Sequence, residues 1–150
     1  MKTNNLNDDS ISFDASTIFF KEDFLHYLWK YKLFNIQQLQ TLSKQEISII
    51  KGGTHNKNEG PDFFNAQIKI QNQLWVGNIE IHLKSSDWYA HQHEIDSNYD
   101  AVILHVVWEY DVPVFTKGGM EIPTLQLKDY VAPSVLKSYY HLFEGSQKWI

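Results

Sequence analysis

Cysteine and arginine are both absent from the 150-residue chain, and each absence removes a class of chemistry. Without cysteine there are no disulfides, zinc-thiolate sites or thiol nucleophiles, so any metal must be held by His, Asp, Glu or backbone oxygen. Without arginine there is no planar fork to grip phosphate or guanine two bonds at a time. Thirteen lysines against eighteen acidic residues leave a formal net charge of −5, which argues against a protein that coats nucleic acid. That balance still admits a nuclease, which needs positive potential along one groove only and holds its substrate largely through a bound metal ion. No segment is a membrane span, and the polar, acidic start over residues 1–16 has neither the basic beginning nor the apolar centre of a secretory signal. The expectation is a cytoplasmic protein with no membrane partner.

What is present is an apolar content of 43%, enough in a chain of this length for one core and too little for two full domains. Residues 1–17 read as a flexible lead, and residues 18–150 as a single α/β domain. The chain stops at Lys148-Trp149-Ile150 with no polar tail. This reads as truncation of a longer protein, with an exposed apolar patch expected near Trp149, Ile150 and the last helix.

Glu22 to Phe34 carries Phe24, Leu25, Leu28, Trp29 and Leu33 at helical spacing, and a short second helix is expected from Asn35 to Leu42. A short strand holds Ile47, Ile49 and Ile50 and ends at Gly52-Gly53. Phe63–Ile70 and Leu74–Lys84, joined by Gln71-Asn72-Gln73, form a hairpin pattern. Ser85-Ser86-Asp87 offers a helix cap, with partial helix expected through Tyr99. Ala101 to Trp108 is an apolar run suited to a strand buried on both faces. Val112–Phe115 and Ile122–Leu127 flank a turn at Lys117-Gly118-Gly119, and Pro133 to Phe143 is a last helix. Trp29, Trp75, Trp88 and Trp108 read as core. The fold class is α/β, a mixed central sheet flanked by helices in the order helix, three strands, helix, strand.

Gly60-Pro61-Asp62 is followed after seventeen residues by Glu80-Ile81-His82-Leu83-Lys84. Alternate side chains of a strand share a face at roughly 7 Å intervals, so Glu80, His82 and Lys84 project together. A three-residue loop at 71–73 sets Asp62 across from His82 and beside Glu80; a two-residue loop turns Asp62 away unless a bulge, with Gly77 the obvious candidate, restores the register. Two carboxylates on adjacent strands suit a divalent cation with oxygen ligands, and a nearby lysine can stabilise charge on a phosphate.

These residues resemble the core of the PD-(D/E)XK nuclease superfamily, in which an aspartate after proline begins one strand and an acidic-x-lysine triplet sits on the next. Pro61-Asp62 and Glu80 match, over a restriction-endonuclease-like order spanning roughly residues 22–108. The triplet departs at its last position, where His82 stands in place of lysine, and Lys84 on the same face is the substitute. The resemblance implies an enzyme that cleaves nucleic acid in one cleft, with Asp62, Glu80 and His82 around Mg²⁺ or Mn²⁺, Lys84 on the phosphate, and His82 as extra ligand or water-orienting base.

A second resemblance covers nearly the whole chain. Phe24…Tyr27-Leu28-Trp29, Gly60-Pro61-Asp62-Phe63…Ala66, Gly77 through His82, Ser86-Asp87-Trp88…His91…His93 and Val102 through Val107 are similar to an uncharacterised bacterial domain-of-unknown-function family. Its members run well beyond this length, which implies a C-terminal region of the same protein as a partner.

Four histidines, His82, His91, His93 and His105, fall within 24 residues, a grouping compatible with a histidine-carboxylate metal site. His91 and His93 can ligate together from a loop, whereas on a helix they diverge by roughly 200°. Asp87 and His55 are further candidates, the latter in the loop leading to Pro61 and bordering a substrate cleft. Two other readings stay open. One is a non-catalytic binding or scaffold module of the same fold, in which Asp62 caps a turn, Glu80 pairs with Lys84, the histidines serve structure, and the C-terminal region packs on it. The other is a transition-metal site in the histidine cluster serving a different hydrolysis.

Overall fold

The computed structural model describes residues 21–149, with side chains as far as His141. The lead over residues 1–17 and the side chains of Trp149 and Ile150 lie outside the described residues. The chain divides into two units, one of them Lys21–Tyr130. In the other, the described element is a helix over Pro133–Trp149, longer than the expected Pro133–Phe143.

Within Lys21–Tyr130, helix α1 spans Glu22–Tyr31 and buries Phe24, Leu25, Leu28 and Trp29. Each such side chain removed from water is worth about 1.5–3 kcal/mol, so this stripe is what fixes the helix in place. The helix stops before Phe34 because Lys32 turns left-handed (φ 53°) and Leu33 N–H bonds back to Leu28 O at 2.9 Å. The apolar spacing overruns that stop because Phe34 stacks on Trp29, with ring centroids 5.8 Å apart.

The helix expected over Asn35–Leu42 does not form. Gln38 is left-handed (φ 61°), and Leu39–Gln40 make a short strand β1 paired with β2 (Glu46–Lys51). Thr41 Oγ1 holds the turn between them, accepting from Ser43 N–H at 3.2 Å and Gln45 N–H at 3.1 Å. Such a local side-chain bond offers the backbone an alternative to helix.

Strands β3 (Thr54–His55), β4 (Phe63–Ile70), β5 (Gln73–Lys84), β6 (Val102–Glu109) and β7 (Thr124–Gln126) complete a seven-stranded mixed sheet. Its order is β1-β2-β4-β5-β6-β7, with β3 on β4. Pairing is antiparallel from β1 to β5 and parallel from β5 through β7. The expected hairpin around Lys117-Gly118-Gly119 is reduced to a bridge between Phe115 and Glu121, because Thr124–Gln126 pairs with β6 instead. Between β5 and β6 lie a four-residue helix α2 (Asp87–Ala90) and 3₁₀ turns at His93–Ile95 and Ser97–Tyr99. Ser86 is the residue before α2 but makes no side-chain cap bond.

The β5 strand changes character along its length. Residues 73–76 are exposed, Trp75 included at 38%, which corrects its assignment to the core; Ile79 through His82 are all buried. A strand buried on both faces therefore carries a carboxylate and an imidazole into the interior. Among the described residues no helix is long and apolar enough to cross a membrane.

Candidate functional site

The β4–β5 hairpin decides where Asp62 points. Its loop is the two residues Gln71-Asn72, so Ala66 to Ile70 pair with Gly77 to Gln73, a register that alone would turn Asp62 to the far face. Between Phe63 and Ala66 the ladder shifts, and Phe63 pairs with Ile79. The extra residue lies in β4, where Asn65 adopts φ 61° and its N–H donates to Asn78 Oδ1 at 3.2 Å. The bulge is thus next to Gly77 but on the opposite strand. It brings Asp62 against Glu80 rather than across from His82: Asp62 N–H donates to Glu80 Oε1 at 3.1 Å, and Ile81 N–H donates to Asp62 Oδ2 at 2.8 Å. Each carboxyl group thus accepts a backbone N–H from the other's strand.

Helix α1 adds two groups that the sequence reading passed over. Glu22 and His26, one helical turn apart, share a face. His26 Nε2 is 3.5 Å from Asp62 Oδ2. Burial works against a charged His26, but the Asp62 carboxylate beside it, with Glu22, carries its pKa above the ordinary value. Glu22 is pushed up to about 7, first by burial and then by the charge of Asp62. Burial and then Asp62 also push Glu80 well above the carboxylate range. Three acids crowded this way repel one another when ionised, and a cation among them relieves that repulsion. The i, i+4 pairing of Glu22 and His26 beside the apolar stripe was the signal available for them.

Glu80 has a second set of neighbours. Its Oε2 is 3.3 Å from His82 Nε2 and 3.0 Å from His93 Nε2. His82 Nε2 is also 3.3 Å from His91 Nδ1, while His82 Nδ1 is 2.8 Å from His105 Nε2 on β6. His91 ends α2 as its C-cap and Gln92 is left-handed (φ 59°), so the chain turns back and the rings of His91 and His93 converge to 5.5 Å instead of diverging as on a helix. His93 stacks on Tyr99 at 3.7 Å, and Trp88 packs edge-on against both His93 and His105. Burial first, and then the neighbouring rings, hold the pKa of His82 at about 2, His93 at about 4 and His105 at about 3. All three are neutral imidazoles near neutral pH, with lone pairs to offer.

The remaining candidates fall around this cluster. Lys84 is exposed at the end of β5, registered with Glu109, and none of the cluster's hydrogen bonds or ion pairs reaches it among the described residues. Asp87 Oδ2 accepts from Lys84 N–H at 3.2 Å. His55 stacks on Phe63 at 4.7 Å and lies 5.3 Å from His26. It lines a cleft of about 260 Å³ with Asp23, His26, Tyr27, Lys30, Tyr31 and Lys57. The cleft places two lysines and two tyrosine rings beside the imidazole that contacts Asp62.

Residues 22–150 match a family model described as "Protein of unknown function (DUF2851)". No curated protein and no solved structure gives a match.

Proposed function

We propose, for a chain that belongs to the DUF2851 family, a metal-dependent phosphodiesterase acting on nucleic acid at the acidic face of β4, β5 and α1. The observation that carries this reading is the Asp62–Glu80 pair, two carboxyl groups brought together from adjacent strands across a bulge and each accepting a backbone N–H from the other's strand, with the charge of Asp62 felt at Glu22. Asp62 and Glu80 would hold Mg²⁺ or Mn²⁺, and the ion would supply Lewis acidity and an activated water. His26, whose buried Nε2 lies 3.5 Å from Asp62 Oδ2 and whose ring lines the cleft, is placed to hold or pass a proton at Nε2. Lys30 and Lys57 give the cleft positive charge for a phosphate, the role first considered for Lys84. His82, behind Glu80, positions that carboxylate.

The order of α1, antiparallel β2-β4-β5, helical turns and β6 parallel to β5 supports the further reading of a restriction-endonuclease-like core. The test is cleavage of DNA and RNA with Mg²⁺ or Mn²⁺ by the wild type and Asp62→Ala. Mn²⁺-stimulated cleavage lost in Asp62→Ala supports the reading. No cleavage by the wild type, with no binding of either ion by calorimetry, abandons it.

One observation favours a second reading. Asp62 and Glu80 already accept backbone N–H groups, as a purely structural clamp would. In that case the domain is a non-catalytic module, packing on a C-terminal continuation of the chain, and removing Asp62 costs about 1 kcal/mol, as for a lost cap, with no Mn²⁺ binding or cleavage to lose.

A further inference from the structure

On the inner side of Glu80, away from Asp62, three ring nitrogens converge, and Glu80 Oε2 lies against two of them. One ring nitrogen from each of His82, His91 and His93 lies within 4.8 Å of the others. The closer spacings are 3.3 Å from His82 Nε2 to His91 Nδ1, 3.3 Å from His82 Nε2 to Glu80 Oε2, and 3.0 Å from His93 Nε2 to Glu80 Oε2. Four ligands held about 2.0–2.1 Å from a tetrahedral ion are about 3.3 Å apart along each edge. We propose that His82, His91 and His93 form a binding centre for a transition-metal dication of the zinc class, with Glu80 Oε2, beside His82 and His93, as the fourth donor.

The donor set selects the ion. Three imidazoles and one carboxylate suit Zn²⁺ and its borderline neighbours, whereas Mg²⁺ prefers an all-oxygen octahedron with several waters. The surroundings are those of a ligand site as well. His105 Nε2 holds the outer nitrogen of His82 at 2.8 Å, and Tyr99 fixes the plane of His93 by stacking. Groups of that kind orient metal-binding histidines and raise their basicity. His91 is exposed, while His82 and His93 are buried, so the centre opens to solvent on the His91 side. The centre does not depend on the phosphodiesterase reading; it shares Glu80 with the acidic pair but uses the opposite oxygen.

The test uses the whole chain, stripped with a chelator and titrated with Zn²⁺ by calorimetry and with Co²⁺ by visible absorption. The wild type should bind one equivalent of Zn²⁺ and give the intense bands of tetrahedral cobalt. His91→Ala, at an exposed position where folding is not at stake, should weaken Zn²⁺ binding by about 100-fold or more and abolish the cobalt bands, a loss at least as large as removing an outer partner. Asp62→Ala should leave both signals in place. Absence of Zn²⁺ binding in the wild type overturns the proposal, and so does binding that survives His91→Ala and fails in Asp62→Ala. Zinc binding without nucleic-acid cleavage keeps this centre and discards the phosphodiesterase.

Discussion

Asp62 and Glu80 clamp the two strands of one hairpin by exchanging bonds with each other's backbone: Glu80 Oε1 takes the N–H of Asp62, and Asp62 Oδ2 takes the N–H of Ile81. The same atoms therefore serve the fold and crowd negative charge. Asp62→Asn separates the two effects, since the amide oxygen can still accept from Ile81 while the charge is gone. Thermal stability should stay within about 0.5 kcal/mol of wild type or rise, whereas Asp62→Ala leaves the Ile81 N–H without its partner and costs about 1 kcal/mol. Calorimetry should show Mn²⁺ binding lost in both.

The bulge absorbs one extra residue of β4, so deleting Asn65 should leave Asp62 where it is. With Asn65 gone the ladder runs regularly, Phe63 stays opposite Ile79 and Asp62 stays beside Glu80. The shortened protein should fold and bind Mn²⁺ as the wild type does; binding as weak as in Asp62→Ala would show that the pairing beyond the bulge had slipped. Asn65→Val, which keeps the residue but disfavours φ 61°, should cost about 1–2 kcal/mol in chemical denaturation.

Strand alternation made the shared face of Glu80 and His82 legible, and the Pro61-Asp62 dipeptide marked where its partner starts. The register was not legible from loop length alone. A two-residue turn and a bulge in β4 offset each other, and nothing in Asn65 as a letter distinguishes a left-handed bulge from an ordinary polar strand residue. The convergence of His91 and His93 was readable only as a condition, because it hinges on Gln92 being left-handed, a state that the surrounding packing imposes. Glu22 and His26 were visible as an i, i+4 pair, but the apolar stripe beside them dominated the reading of α1. Thr124–Gln126 pairs with β6 across a long connection, and such a parallel neighbour leaves no local signature.

Stability of the metal-free protein should fall as pH rises. The pKa of Glu80 is raised above its ordinary 4.5 by burial and by Asp62, so the folded state keeps a proton that the unfolded chain has released. Its contribution is therefore fully present below about pH 4.5 and is lost progressively on going to alkaline pH, up to the folded value. Glu80→Gln removes this dependence. Melting curves between pH 6 and 9, with chelator, should show wild type losing ground to Glu80→Gln; parallel curves would show that Glu80 is ionised in the fold.

Gly77 is required by its neighbours rather than by its backbone angles. A Cβ built there comes within 2.5 Å of both the Ala101 carbonyl oxygen and Ile103 Cγ2. Gly77→Ala forces β5 and the start of β6 apart, at a cost of about 1–3 kcal/mol or more by the usual range for overpacking. Because Asn78 N–H bonds Ala101 O at 2.8 Å, hydrogen exchange at Asn78 should accelerate most. An unchanged midpoint and exchange pattern would mean that the strands part without cost.

The His82–His105 contact predicts a coupled change of tautomer on zinc binding. Without metal, and with the Glu80 proton on Oε1 beside Asp62, Oε2 is an acceptor 3.3 Å from His82 Nε2, which also lies 3.3 Å from His91 Nδ1, so the His82 hydrogen belongs on Nε2. His82 Nδ1 then accepts from His105 Nε2–H at 2.8 Å. His105 Nδ1, buried with no hydrogen-bond partner among the described residues, is left as a bare acceptor, the less costly state for an unpaired ring nitrogen. A zinc ion on His82 Nε2 needs that lone pair, which sends the hydrogen to Nδ1 and makes His82 the donor to His105 Nε2. The His105 hydrogen must then move to Nδ1. Long-range ¹⁵N–¹H correlation spectra of the histidine rings distinguish the two tautomers directly. Both rings should switch together at one equivalent of Zn²⁺; a His82 ring that keeps its Nε2 hydrogen at saturating zinc would place the ion elsewhere.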